Sequence, residues 1–76
     1  KPLTGFITVF MKTTDHLAFQ TYIHNNSIIT EANRISGEGC YMLKVTASSQ
    51  EELVQLLDEI LKYGNYKLNL SIENIK

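Results

Sequence analysis

The sequence predicts an α+β domain whose elements run β-α-β-β-α-β, with two helices on one face of a four-stranded antiparallel sheet. Three observations carry that prediction. Residues 6–12 and 40–47 are largely apolar on both faces, as strands in the middle of a sheet are. Two other segments carry apolar residues three and four apart, the repeat of a helix. The remaining two, 28–36 and 68–72, are more polar or strictly alternating and suit the sheet's edges.

Each element has its own grounds. Residues 6–12 are rich in β-branched and aromatic types, with Ile7, Val9 and Met11 on one face and Phe6 and Phe10 on the other. Thr13, Thr14 and Asp15 suit a helix start. Residues 15–25 carry Leu17, Phe19, Tyr22 and Ile23, with Phe19 and Ile23 one turn apart, and Asn25-Asn26-Ser27 closes the helix. Residues 28–36 form a polar edge strand. Gly37-Glu38-Gly39 makes a turn, since glycine takes positive φ at little cost. Cys40 to Ala47 is the third strand. Ser49 and Glu52 fit a capping box, and Glu51 and Glu52 suit the positive end of the second helix. Leu53, Leu56, Leu57, Ile60 and Leu61 form its apolar stripe, and Gly64 reads as the residue that ends it. Residues 68–72 alternate as a last strand. This order is the split βαβ, or ferredoxin-like, arrangement, with the first and third strands central.

The 76 residues make a single domain, 1–76. Leu, Ile, Val and Phe supply 23 of them, enough for a core in so short a chain. Apolar runs are too short for a transmembrane helix or a signal-peptide core, so no membrane partner is expected. Seven basic residues stand singly against eight acidic ones, for a net charge of −1. That pattern argues against direct nucleic-acid contact, which needs a clustered basic stripe. The single cysteine, Cys40, cannot form an internal disulfide, which points to a reducing, cytoplasmic setting.

Little in the chain offers catalysis. His16 and His24 lie near the first helix without a third ligand at a metal-like spacing, so they read as structural or surface histidines and no metal is expected. Cys40 has no neighbouring base and reads as a buried strand cysteine. There is no P-loop, no dinucleotide fingerprint and no nucleophile elbow, so neither an enzyme nor a cofactor is expected. The packing leaves one sheet face uncovered by this chain, which predicts a second copy or another domain against it. The segment that stands out is Ser36-Gly37-Glu38-Gly39-Cys40-Tyr41. It is either a plain hairpin turn or a site. Its glycines would expose backbone N–H groups to a carboxylate while Glu38 meets an ammonium, the combination a zwitterion needs.

The run Ile35-Ser36-Gly37-Glu38-Gly39-Cys40-Tyr41-Met42-Leu43-Lys44-Val45 resembles the pattern Val-Thr-Gly-x-x-Asp-Tyr-Leu-Leu-Lys-Val of the Lrp/AsnC (feast/famine) transcription regulators. The match is to their C-terminal effector-binding, or RAM, domain. Thr4-Gly5-Phe6-Ile7-Thr8-Val9, the Glu-Glu-Leu start of the second helix and the alternating last strand extend it across residues 3–76.

That resemblance implies a domain that dimerises sheet to sheet and assembles into an octamer or similar ring. It implies a small effector, an amino acid, bound where dimers meet. Carried over by position, the effector-binding residues are Gly37, Glu38, Gly39, Cys40 and Tyr41. DNA would be bound only through the family's N-terminal helix-turn-helix domain, which these residues do not include. Two departures bear on the site. The family's loop Asp is Cys40 here, and a thiol is a poor partner for an ammonium. The family often has Thr in the last strand, where this chain has Tyr66 and Leu68. Two rival readings follow: an assembly module with a degenerate pocket, and an ACT-type amino-acid sensor, which shares the element order and binds its ligand at another interface.

Overall fold

The computed structural model describes all 76 residues. Its elements are β1 (Leu3–Met11), α1 (His16–His24), β2 (Ile29–Arg34), β3 (Tyr41–Ala47), α2 (Gln50–Ile60) and β4 (Gly64–Leu70). The four strands form one antiparallel sheet in the order β2-β3-β1-β4, so β1 and β3 are central. The doubly apolar segments of the sequence are therefore the inner strands.

Alternation along the inner strands separates two faces. Ile7 and Val9 of β1 and Tyr41, Leu43, Val45 and Ala47 of β3 are buried on one face. Phe19 of α1 and Leu53, Leu56, Leu57 and Ile60 of α2 join them in a single core. Both helices thus cover the same side. The opposite face presents Phe6, Thr8 and Phe10 from β1 and Met42, Lys44 and Thr46 from β3. It is less apolar than the sequence suggests, because β3 contributes only Met42 to it as a large apolar group.

The helix starts follow their side chains. Asp15 caps α1, its Oδ1 accepting from the Ala18 N–H at 3.0 Å. Ser49 caps α2, its Oγ accepting from the Glu52 N–H at 3.1 Å. The Glu52 carboxylate turns back one residue further than a standard capping box and accepts from the Ser48 N–H at 2.7 Å. The two helices are tied by Tyr22, whose hydroxyl donates to Glu59 Oε1 at 2.6 Å and accepts from Asn26 Nδ2 at 3.1 Å. Burial pushes the Tyr22 phenol well above its ordinary pKa, and the Glu59 hydrogen bond and charge add to that.

The structure departs from the sequence reading at β1, at the last strand, which runs Gly64–Leu70 rather than 68–72, and in the helix stripes. β1 begins at Leu3, since Leu3 and Thr4 pair with Ala47 and Thr46. Gly64 does not end α2. It opens β4 opposite Met11, and a Cβ there would collide with the Phe10 carbonyl oxygen and sit 2.9 Å from Met11 Cα. The glycine serves close approach of two strands. Leu61 caps α2 with 42% of its surface exposed, and Leu17 is 75% exposed, so neither belongs to its helix's buried stripe. No helix is long and apolar enough to cross a membrane.

Candidate functional site

The loop between β2 and β3 is built by the two glycines that the sequence singles out. Gly37 (φ +86°) and Gly39 (φ +89°) are the only residues with positive φ in the chain. At Gly37 the requirement is conformational alone, because a Cβ would meet nothing within 4 Å. At Gly39 it is also steric, because a Cβ would lie 2.6 Å from Thr8 Cγ2. The loop is pinned at its base. The Ile35 N–H donates to the Cys40 carbonyl at 3.0 Å, and the Cys40 N–H donates to the Val9 carbonyl at 2.7 Å. Between those two bonds, the N–H groups of Gly37, Glu38 and Gly39 donate to no acceptor within the chain. Three successive backbone donors are therefore left unengaged above a fixed base, and Glu38 between the two glycines is exposed.

The structure spreads the five sequence-derived site residues over the loop and the first residue of β3. Gly37, Glu38 and Gly39 form the loop. Cys40 is half-buried and packs against the core, so its thiol is not a free loop group. Tyr41 is 2% exposed and lies beneath α1. Its hydroxyl meets His16 Nδ1 at 2.9 Å and accepts from Gln20 Nε2 at 3.1 Å. Its ring stands edge-on to Phe19, with centroids 5.0 Å apart. The loop thus runs directly into a residue locked to the first turns of α1. Sequence reasoning missed His16 and Gln20 as partners of Tyr41. They sit four apart on one helix face, which was the available signal.

Tyr66 and Leu68 are half-buried opposite Val9 and Ile7 and pack on the core. No group of three or more His, Cys, Asp or Glu side chains is placed to hold a metal ion.

The β-α-β-β-α-β order and the glycine loop between β2 and β3 define the class of the chain, a ferredoxin-like α+β domain. Comparison with known proteins gives that class its family. Residues 4–76 match the Lrp/AsnC ligand binding domain, and the chain belongs to that family. It is 48% identical over 73 residues to the HTH-type transcriptional regulator LrpB of Bacillus subtilis, covering 96% of this chain and 49% of that protein. The structure of LrpC from B. subtilis superposes with a TM-score of 0.91 at 26% identity, over 97% of this chain and 53% of that one. A transcriptional regulator from Neisseria meningitidis in complex with L-Met superposes with a TM-score of 0.87 at 20% identity, over 97% and 52%. The chain spans about half the length of the curated relatives it matches.

Proposed function

We propose that this chain is the effector-sensing and assembly domain of an Lrp/AsnC-type transcription regulator, and that it binds an amino acid at the 37–39 loop where copies of the domain meet. The observation that carries the reading is the loop's run of three N–H groups unengaged within the chain, tied to β1 by the Cys40 N–H to Val9 carbonyl bond and carrying the Glu38 carboxylate. Donors of that kind suit a carboxylate, and Glu38 suits an ammonium. The neighbour crystallised with L-Met is consistent with an amino-acid ligand. Self-association is supported by the open sheet face. Phe6 and Phe10 are 40% and 37% exposed there beside Met42, an apolar centre rimmed by Lys44, Lys67 and Asn69. A small effector at a subunit junction regulates by favouring one assembly over another.

The placement of Cys40 favours one rival. With the thiol packed against the core, the family's acidic loop position is filled by a group unable to pair with an ammonium. On that reading the domain assembles but senses nothing. Multi-angle light scattering, with and without each amino acid, separates the two. The sensing account predicts an assembly whose mass or stability changes with one amino acid, and loss of that response in Glu38→Ala with the assembly retained. An assembly indifferent to every amino acid favours the rival, and a monomer under all conditions contradicts both.

A further inference from the structure

A concave feature lies on the helix side of the sheet, and Gly37, Glu38 and Gly39 are not among its lining residues. It is a cleft of about 270 Å³ between α1 and the edge strand β2, lined by Gln20, Ile23, His24, Ala32, Arg34 and Tyr41 among others. All of these come from one copy of the chain.

Its chemistry is asymmetric. Arg34 is exposed, and its guanidinium carbon stands 5.5 Å from the centre of the Tyr41 ring. Tyr41 is itself fixed by His16 and Gln20, so the cation rests on a rigid aromatic floor. The guanidinium makes no side-chain hydrogen bond within the chain, which leaves its fork of donors available. His24 adds an imidazole at the last turn of α1. Ile23 and Ala32 supply an apolar wall. No carboxylate lines the cleft; Glu31 lines an adjoining depression that shares Ile23, His24 and Ala32, and its carboxylate accepts from Nδ2 of the cleft residue Asn33 at 3.2 Å.

From this arrangement we infer that the α1–β2 cleft is a binding site for a small organic carboxylate with a short apolar chain and no amino group. Arg34 pairs with the carboxylate in the bidentate geometry that guanidinium favours, and Ile23 and Ala32 take the alkyl chain. The volume lies just below the range of pockets that hold drug-sized ligands, which fits a molecule the size of a short acid. With no acid among the cleft's own lining residues and Arg34 beside it, a carboxylate is favoured over an ammonium. The cleft shares Tyr41 with the residues carried over for the loop site, but it uses Arg34 in place of Glu38 and the loop's N–H groups.

Saturation-transfer NMR tests it on the 76-residue chain with three isosteric probes: sodium 3-methylbutanoate, 3-methylbutanol and 3-methylbutylamine. The carboxylate alone is expected to bind saturably in the millimolar range. Arg34→Gln should weaken it roughly tenfold or more, as expected for losing charge-assisted hydrogen bonds. Ala32→Leu, which fills the cleft on an exposed edge strand, should also weaken it. Glu38→Ala should leave it unchanged. Equal binding of the alcohol or amine, or undiminished binding to Arg34→Gln, overturns the assignment. A response lost in Glu38→Ala but kept in Arg34→Gln moves the carboxylate to the loop and equally overturns it.

Discussion

The Tyr41 hydroxyl and His16 Nδ1 lie 2.9 Å apart, joining the residue that follows the glycine loop to the first residue of α1. Gln20 Nε2 donates to the same oxygen, so two α1 side chains hold the Tyr41 hydroxyl. The loop is thereby anchored on both sides, through Cys40 to β1 and through Tyr41 to α1.

Removing that hydroxyl should loosen the anchor without emptying the core, because the ring keeps its contacts with Phe19. Tyr41→Phe is expected to lose about 1 kcal/mol in urea denaturation, the net worth of such hydrogen bonds. The losses of Tyr41→Phe and His16→Phe should add only in part, since both variants break the Tyr41–His16 contact while Tyr41→Phe also removes the acceptor of Gln20.

The two loop glycines should differ in cost. Gly37→Ala meets only the conformational penalty of positive φ, about 1 kcal/mol. Gly39→Ala meets the same penalty and a collision with Thr8 Cγ2. Thr8 is not free to yield, because its hydroxyl contacts Met42 Sδ at 3.7 Å. Denaturation midpoints should therefore fall further for Gly39→Ala than for Gly37→Ala.

Gly64 is the strongest steric constraint. Gly64→Ala drives a methyl group into the backbone of β1 at Phe10 and Met11, where no rotamer change relieves it. It also strains the adjoining Lys12 N–H to Tyr63 carbonyl bond of 2.8 Å. A loss on the order of 3 kcal/mol or more is expected, enough to unfold much of so small a domain at physiological temperature.

Tyr22 should give the domain an alkaline limit. Its pKa is raised in the folded state, chiefly by burial, so the folded chain holds a proton that the unfolded chain releases near about pH 10. The stabilisation is complete below that pH and declines as pH rises through it. Thermal unfolding between about pH 8 and about pH 11 should show the decline in the wild type and a flatter profile in Tyr22→Phe.

Much of this molecule is legible in its residues. Ile7 and Val9 with Phe6 and Phe10 place β1 inside the sheet, and the spacing of Leu53, Leu56, Leu57 and Ile60 sets the buried face of α2. The Gly37 and Gly39 pair marks the loop because positive φ has few other sources. The start of β4 was hidden because a glycine after a helix satisfies two different physical needs, and only the register against Met11 shows which one applies. The direction of Tyr41 follows from its alternation with Leu43 and Val45. Its grip on His16 and Gln20 does not, because that contact depends on where α1 comes to rest. Lys44 and Thr46 also temper the open face, a detail visible once β3 is split into its two sides.

The most direct measurement is a thermal-shift screen of this chain against the twenty amino acids at millimolar concentration. A ligand at 100 times its Kd adds about 2.7 kcal/mol, which for a domain of this size raises Tm by on the order of 10 °C or more. The account predicts one clear stabilising amino acid, or a chemically related few, with the shift abolished in Glu38→Ala. No shift with any of the twenty, in a chain that is folded and assembled, would contradict it.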